Sequence, residues 1–314
     1  MHAEDLAGII PAVIVPMRSD FTIEFDAFRR YLEWIVSLGP VALAVNVDTG
    51  EGGYLSSEER VRVIQMAKNV AGRRCKVIAG CGGPATAAAV ANARLARDAG
   101  ADGLLVFPTP AFLNDPLDPR ICCEYHEAIA KASDLPIVLF QLGPIFGGVN
   151  YTPEALRTMM ELPQVIGIKD ASFDLNRFCL VRNIASEQSR KIALLTGNDN
   201  FLLESFLLGA DGGLLGYGAV GTQLLIEQLD AVRRHDLDRA KRLQPRVQGF
   251  CDYIYGRPIG DYRARCKVTL AHMGLLKPEE TYVRPPYVSL WETERHQAAD
   301  AVQRFGLRVT GDPL

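Results

Sequence analysis

The fold is indicated first by the stretch Ala99-Gly100-Ala101-Asp102-Gly103-Leu104-Leu105-Val106-Phe107, in which a glycine-containing turn leads from a helix into an apolar run. A second copy of this turn, Gly209-Ala210-Asp211-Gly212, precedes another apolar run that ends at Leu215. Glycine is favoured just after the end of a helix, where the backbone often needs a positive φ. The two copies indicate a chain in which helices lead repeatedly into buried strands.

Apolar runs of this kind recur over most of the chain. They consist largely of Val, Ile and Leu and lack polar alternation, which predicts strands buried on both faces, as in a parallel sheet. The predicted strands are Ile9–Val15, Val41–Val45, Lys76–Ala79, Gly103–Phe107, Pro136–Phe140, Val165–Ile168, Ile192–Leu195 and Gly212–Leu215.

Helix patterns lie between the predicted strands. One helix is predicted to begin at a capping box formed by Ser56 and Glu59. The other predicted helices are Phe25–Leu38, Thr86–Asp98, Asp118–Ala132, Thr152–Glu161, Leu175–Glu187, Asp199–Leu208 and Thr222–His235.

Eight strand–helix pairs predict a (β/α)8 TIM barrel, an α/β fold, over residues 1–235. Residues 236–314 are predicted to form a second, helical domain that packs on the barrel as a C-terminal appendage. A doubly wound sheet is the alternative. It requires a glycine-rich phosphate loop after its first strand, and Pro16-Met17-Arg18-Ser19-Asp20 is not such a loop.

Composition narrows the class of protein. The 314 residues are 48% hydrophobic and carry a net charge of −3, which argues against nucleic acid or an anionic membrane as the main partner. No apolar stretch is long enough for a transmembrane helix, and the first residues do not resemble a signal peptide. Seven cysteines without a C-x-x-C pair fit reduced thiols. We therefore expect a cytoplasmic protein.

Active sites of such barrels lie at the carboxyl ends of the strands, and there Lys169 is the strongest candidate. It follows Val165-Ile166-Gly167-Ile168, a predicted buried strand, and lysines are rarely buried unless they are paired or functional. Desolvation lowers the pKa of an amine and exposes the neutral form that attacks a carbonyl. Lys169 is therefore a candidate Schiff-base nucleophile. A structural bridge to Asp170 or Glu51 is the alternative.

A second candidate is the turn Thr49-Gly50-Glu51, which follows the second predicted strand. The glycine lets backbone N–H groups point at an anion, and Thr49 adds a hydroxyl donor. Thr49 and Gly50 would then bind the carboxylate of a 2-oxo acid. An ordinary turn, in which Glu51 bonds to the backbone, is equally compatible with the sequence.

In order and spacing, these motifs resemble the dihydrodipicolinate synthase / N-acetylneuraminate lyase family from Gly8 to Gly306. Gly167-Ile168-Lys169-Asp170 is similar to the family's Schiff-base lysine motif, and Thr49-Gly50-Glu51 is similar to its carboxylate loop. The resemblance implies homotetramers of (β/α)8 barrels that act on pyruvate-like 2-oxo acids by a class I lyase mechanism, without a cofactor.

Several positions depart from the family pattern. The strand-5 tyrosine that relays protons is replaced by Phe140 or Gln141, depending on where one extra residue is placed. Pro110 stands where a second tyrosine would reach in from a neighbouring subunit, and the family's Thr-Thr pair becomes Asp48-Thr49. The arginine expected after the strand-5 proline is absent from Pro144-Ile145-Phe146. These differences argue against dihydrodipicolinate synthase itself.

Another group must then carry the proton. Asp48 is the predicted carrier, as a carboxyl group whose pKa would be raised by partial burial near the imine; a turn-stabilising role is the alternative. Tyr217 is the next candidate donor. The residues predicted to contact the substrate are Thr49, Gly50, Thr109, Phe140, Gln141 and Leu214, with Asn198 as a further orienting group.

Together these features predict an aldolase or dehydratase that joins Lys169 to a 2-oxo acid such as pyruvate or a sugar-derived keto acid, in a homodimer or homotetramer. Two alternatives compete with it. One is a metal-dependent barrel with a divalent ion at Glu51, Asp170 and Asp199, which leaves Lys169 unexplained. The other is a regulatory relative that binds 2-oxo acids without catalysis.

Overall fold

The computed structural model describes residues 1–113, 117–290 and 292–307. Its eight parallel strands form one sheet in the order β1-β8-β7-β6-β5-β4-β3-β2. The strands are β1 (Ile9–Pro11), β2 (Ala42–Val45), β3 (Lys76–Cys81), β4 (Gly103–Val106), β5 (Ile137–Leu142), β6 (Val165–Ala171), β7 (Ala193–Thr196) and β8 (Gly212–Leu215). A bridge between Ala12 and Ala44 joins the first two strands. The predicted (β/α)8 barrel with C-terminal helices is confirmed.

The α-helices of the described residues surround this barrel and extend beyond it. They are α1 (Phe25–Ser37), α2 (Ser57–Ala71), α3 (Thr86–Asp98), α4 (Pro119–Ser133), α5 (Pro153–Glu161), α6 (Leu175–Ser186), α7 (Leu202–Leu207), α8 (Gly218–Arg233), α9 (Leu237–Ile254), α10 (Tyr262–His272) and α11 (Glu292–Phe305).

Local signals in the sequence set several of these ends. The predicted capping box is present, since Ser56 Oγ accepts from Glu59 N at 3.2 Å and a Glu59 carboxylate oxygen accepts from Ser56 N at 2.8 Å. Gly39, Gly100 and Gly209 follow helices with φ of 83°, 93° and 95°, a region that favours glycine. The repeated helix-to-strand turn is thus confirmed at both of its copies.

Some boundaries differ from the prediction. β1 leaves the ladder after Pro11 rather than continuing to Val15, while β6 extends to Ala171 and so contains Lys169. Helix α7 begins at Leu202, so Asp199 lies in the preceding loop instead of in a helix. These shifts matter because side chains inside a strand alternate between the two faces of the sheet, whereas a loop is free of this rule.

The apolar core has two layers, which follow from this alternation. Inward-facing side chains such as Ile10, Ile78, Leu105, Val138 and Leu214 fill the barrel. The opposite faces of the strands pack against the surrounding helices in a larger cluster. Because the barrel interior is filled in this way, space for a ligand remains only at one end of it.

The C-terminal helices are attached to the barrel by a buried ion pair. Lys267 of α10 and Glu51, in the turn after β2, have no exposed side-chain surface, and their Nζ and Oε1 atoms are 2.5 Å apart. Lys267 Nζ also donates to Tyr282 O at 2.6 Å, and Glu51 Oε2 accepts from Arg284 N at 2.7 Å. The division into domains at residue 235 stays a prediction, and residues 308–314 of the second domain lie outside the described residues.

This pair should make a large contribution to stability. Replacing Lys267 with Met leaves the Glu51 carboxylate buried without its cation, which costs about 3–5 kcal/mol of unfolding free energy. Urea unfolding of Lys267→Met measures this loss. Lys191→Met is the control, since it removes a lysine that is 54% exposed in its pair with Asp211 and should cost at most about 1 kcal/mol. Equal losses in the two variants would contradict the assignment.

Candidate active site

A cavity of about 660 Å³ opens at the carboxyl ends of the strands, where the active sites of this fold lie. Strand ends and the loops after them form its inner wall, and residues of the C-terminal helices form its outer wall. The inner wall includes Asp48, Thr49, Phe140, Lys169 and Leu214. Five residues predicted for the site therefore meet in one place.

Lys169 occupies the centre of this cavity because of its position in β6. It is in register with Phe140 of β5, and both point inward. Lys169 Nζ lies 4.2 Å from the centroid of the Phe140 ring. An added Cβ at Gly197 would be 2.5 Å from Lys169 Cε, so the glycine leaves the room that the lysine occupies.

The electrostatic surroundings favour a reactive amine. Burial lowers the pKa of Lys169 to about 8, and the negative charges of Asp199 and Asp48 act in the opposite direction. Within the described residues Lys169 has no hydrogen bond or ion pair, and its recorded contact is the one with Phe140. The predicted bridge to Asp170 or Glu51 is thus absent from this part of the chain. A substantial neutral fraction is available near neutral pH.

Asp48 lines the cavity, but in a different setting from the one expected. Its side chain is 58% exposed and forms an ion pair of 2.5 Å with Arg263, whose side chain is 3% exposed. Tyr262 donates a hydrogen bond of 2.9 Å to Asp48 Oδ2 and lies 3.4 Å from Thr49 Oγ1. The expected partial burial of Asp48 is wrong, because α10 presents a cation to it at the rim of the cavity.

Asp199 is the more deeply placed carboxylate. It follows β7, lines the cavity and is 8% exposed. Burial raises its pKa to about 7, while the charge of Lys169 and a hydrogen bond from Tyr255 lower it. This carboxylate was considered from the sequence only as a metal ligand.

The predicted site residues outside the cavity lining are Gly50, Thr109, Gln141, Asn198 and Tyr217. Gln141 follows Phe140 on β5 and so points outward, where it donates to Asp170 Oδ1 at 2.5 Å and accepts from Tyr151 N at 3.1 Å. Thr109 Oγ1 lies 3.5 Å from Pro84 O, away from the lining. Neither Gln141 nor Thr109 lines the cavity, and their contacts with the substrate stay predictions.

Gly50 and Tyr217 also have other surroundings. An added Cβ at Gly50 would be 2.7 Å from Val13 O, so this glycine permits a close approach to the segment after β1. Tyr217 is fully buried against Phe250 and Tyr255, with ring centroids 5.8 Å and 6.4 Å away. Its hydroxyl has no partner among the described residues and does not line the cavity, and its role as a proton donor stays a prediction.

The three carboxylates of the metal hypothesis do not converge. Glu51 is paired with Lys267, and Asp170 accepts hydrogen bonds from Gln141, Asn198 and Ser172 on the outer face of the sheet. Asn198, predicted to orient the substrate, instead donates a hydrogen bond to Asp170 on this outer face. Among the residues that the structure describes, no group of three His, Cys, Asp or Glu side chains is placed to hold a metal ion.

Aromatic rings form one side of the cavity. Phe107 packs edge-on against Phe140 with ring centroids 5.0 Å apart, and Phe146 lies 4.7 Å from Phe173. Phe173 has a φ of 60°, which is strained for a bulky residue. Asn198 Oδ1 accepts from its N–H at 2.7 Å and so supports this backbone conformation.

Comparison with known proteins identifies the family. The dihydrodipicolinate synthetase family matches residues 5–305. The chain belongs to this family. The 4-hydroxy-tetrahydrodipicolinate synthase of Rickettsia bellii (strain OSU 85-389) is 28% identical over 306 residues, covering 96% of this chain and 98% of the relative. That of Methanothrix thermoacetophila is 30% identical over 240 residues, covering 76% and 79%.

Solved structures of dihydrodipicolinate synthases are similar to this chain over nearly its whole length. The enzyme from Bacteroides thetaiotaomicron is 28% identical with a TM-score of 0.86, over 95% of this chain and 98% of that one. The enzyme from Acinetobacter baumannii, solved in complex with pyruvate, is 27% identical with a TM-score of 0.82, over 96% and 99%. Members of the dihydrodipicolinate synthetase family are aldolase-type lyases.

Several residues of this family member's cavity were missed in the sequence. Tyr255, Tyr262, Arg263 and Tyr287 all line it from the C-terminal part of the chain, which had been interpreted as an appendage only. The available signal was a group of tyrosines on both sides of Arg257-Pro258. Their approach to the barrel depends on how the helices pack, which the local sequence does not encode. In the described residues, no helix combines the length and apolar character needed to cross a membrane.

Proposed function

We propose that this protein is a lyase that joins Lys169 to a 2-oxo acid as a Schiff base and then makes or breaks a bond in the resulting adduct. The observation that carries the proposal is the amine of Lys169, which has no hydrogen-bond or ion-pair partner among the described residues. Its pKa is lowered to about 8, and it lies in the cavity of a dihydrodipicolinate synthetase family member. The Acinetobacter baumannii relative was solved with pyruvate, and pyruvate is the 2-oxo acid that we propose here.

The substrate carboxylate is proposed to bind at the turn of Thr49 and Gly50. The Thr49 side chain lines the cavity next to Tyr262, and backbone N–H groups in such turns bind anions. Phe140 and Leu214 are proposed to contact the apolar part of the substrate. Asp48 as a proton carrier stays a prediction, without the partial burial on which it was based. A cytoplasmic location also stays a prediction.

We further propose that the protein is not an efficient 4-hydroxy-tetrahydrodipicolinate synthase, although the relatives bear that name. The residue beside Lys169 on the neighbouring strand is Phe140, which has no hydroxyl group to relay a proton. The second substrate of the synthase, aspartate semialdehyde, carries a carboxylate. Arg263, a cation in the cavity lining, is already paired with Asp48.

Trapping tests the Schiff base. Pyruvate with borohydride should add one reduced pyruvyl group to Lys169, as located by mass spectrometry of peptides. Lys169→Arg should abolish the adduct, because a guanidinium stays protonated. Gly197→Ala should slow trapping by up to about 10²-fold, because its Cβ would displace the amine. Gly53→Ala is the matched control, with no atom within 4 Å of the added Cβ. Modification elsewhere, or none with any 2-oxo acid, contradicts the proposal.

Turnover separates this protein from its relatives. With pyruvate and aspartate semialdehyde, product formation followed by NMR should be at least about 10²-fold slower than for an authentic synthase, since general acid–base assistance is worth about 10²–10⁴-fold. The Acinetobacter baumannii enzyme in the same assay is the reference. A rate equal to that of the reference would show that Phe140 and the paired Arg263 do not limit synthase chemistry.

Assembly into a homodimer or homotetramer is proposed from membership of the family. Sedimentation velocity at micromolar concentration should therefore give a mass of two or four chains. A single species with the mass of one chain would contradict it.

A further inference from the structure

Asp199 has a feature that the proposed function leaves unexplained. It is 8% exposed, yet its Oδ1 atom has no hydrogen-bond partner among the described residues. Buried polar atoms in native proteins are nearly always satisfied, and an isolated buried carboxylate is strongly disfavoured. A carboxylate kept in this state at the inner wall of the cavity is therefore available to another group.

Lys169 is the cavity residue whose charge acts on this carboxylate. The lysine extends along Gly197, since an added Cβ there would lie 2.5 Å from Lys169 Cε, and Gly197 precedes Asp199 by two residues. Each group shifts the titration of the other through its charge. In the described residues, no hydrogen bond joins the Lys169 amine to the Asp199 carboxylate. No ion pair joins the two groups in this part of the chain, and an acid and an amine that line one cavity can exchange a proton directly or through one water molecule.

Tyr255 holds the other side of the Asp199 carboxylate. Its hydroxyl donates a hydrogen bond to Asp199 and accepts one of 3.1 Å from Tyr217 N. An added Cβ at Gly216 would be 2.4 Å from this hydroxyl oxygen, so the glycine provides the space in which it lies. Burial raises the pKa of Tyr255 well above its ordinary value, which keeps the phenol protonated as a donor.

We infer that Asp199 is a catalytic residue that transfers protons during Schiff-base formation, and that Tyr255 is a positioning residue that leaves one Asp199 oxygen open towards Lys169. The inference rests on the proposed function. It places the proton transfer that Phe140 cannot perform on Asp199 in a loop of the barrel, and the positioning of Asp199 on the tyrosine directly after α9.

The step balances without any further reactant. The Asp199 carboxylate takes one proton from the Lys169 ammonium, and the neutral amine attacks the carbonyl carbon of the 2-oxo acid. A proton then moves from nitrogen to the former carbonyl oxygen, which gives the carbinolamine. Asp199 returns its proton to this hydroxyl as the C–O bond breaks, and the nitrogen lone pair forms the C=N bond. The products are an iminium ion, one water molecule and the Asp199 carboxylate.

The neighbours of Asp199 on every packed element restrict which groups titrate with it. Burial raises the pKa values of the surrounding phenols and thiols, so these groups stay neutral when the Lys169–Asp199 pair titrates. Asp48 acts on Lys169 as a further negative charge. The neutral neighbours are Tyr217, Cys251, Tyr255 and Cys266.

The rate of imine trapping should therefore depend on pH as a bell. The pair is competent when it holds one proton, and both flanks belong to the pair rather than to one residue. On the acid side both groups are protonated and no neutral amine exists. On the alkaline side both have lost their protons and no acid remains to assist the departure of water.

Asp199→Asn distinguishes proton transfer by Asp199 from a role as a counter-charge alone, because the two roles predict opposite changes in the rate of imine trapping. Asn keeps the shape but carries no exchangeable acid, so the rate of pyruvate trapping, followed by timed borohydride quenching, should fall by about 10²–10⁴-fold. A counter-charge role alone predicts the reverse, because the Asp199 charge raises the pKa of Lys169. Its removal would then leave more neutral amine near pH 7, and trapping would be unchanged or faster. That result would overturn the inference.

The variant's pH profile and a matched control complete this test. In Asp199→Asn only the Lys169 flank should remain, displaced to lower pH. Asp238→Asn removes an exposed carboxylate of α9 outside the cavity lining and should keep the bell and a rate within about 2-fold of wild type, since one exposed charge is largely screened. An equal loss of rate in both variants would assign the effect to the change in net charge and overturn the role of Asp199.

Tyr255→Phe tests the positioning residue and serves if Asp199→Asn does not fold. The hydrogen bond from Tyr255 lowers the pKa of Asp199, so its loss should move the acid flank of the bell to higher pH. An unmoved flank would overturn the part assigned to Tyr255. Failure of the proposed function is distinct, because then wild-type protein itself gives no adduct on Lys169.

Discussion

A partly desolvated amine that has no ion-pair partner in the part of the chain that the structure describes sets the requirements for the rest of the site. Lys169 lies among apolar strands, and burial lowers its pKa to about 8. Two carboxylates at a distance, Asp199 and Asp48, oppose this shift. Burial without them would favour the neutral amine still more, whereas a direct ion pair would fix the charge. The observed arrangement keeps the pKa of Lys169 between that of an isolated buried amine and that of an amine in an ion pair.

Because side chains alternate along each strand, the cavity residues lie on one face of the sheet and the hydrogen-bonded residues that hold the strand ends together lie on the other. On β5 and β6, Phe140 and Lys169 point inward, while Gln141 and Asp170 point outward. Asp170 is buried and accepts three side-chain hydrogen bonds, which hold the ends of β5, β6 and β7 together. Asn198 belongs to this outer network and also bonds to the strained backbone of Phe173. The outward residues thus position the inward ones without contacting the cavity.

The alternation of side chains along the strands also explains which features of the site could be predicted from the sequence. Apolar runs and helix caps predicted the barrel, and the lysine at the end of a buried run predicted the centre of the site. The choice between Phe140 and Gln141 required the register of β5 against β6, and the sequence alone left it open. The sequence predicts a helix that begins at Asp199, whereas in the structure the loop after β7 extends to Phe201 and α7 begins at Leu202. The contributions of Tyr262 and Arg263 depend on contacts with residues more than 200 positions away, and no local pattern reports these.

The proposed function divides the site into two halves. In the first half, Lys169 on β6 and the Thr49-Gly50-Glu51 turn are proposed to hold and activate a 2-oxo acid. The second half must accept another molecule, and its walls in this chain are the phenylalanines of the barrel and the tyrosines of the C-terminal helices. In the described residues, the cations lining the cavity are Lys169 and Arg263, and Arg263 is paired. A second substrate that depends on a free cation would have to break that pair, which supports the proposal that this chain is not an efficient synthase, although a relative at 28% identity bears that name.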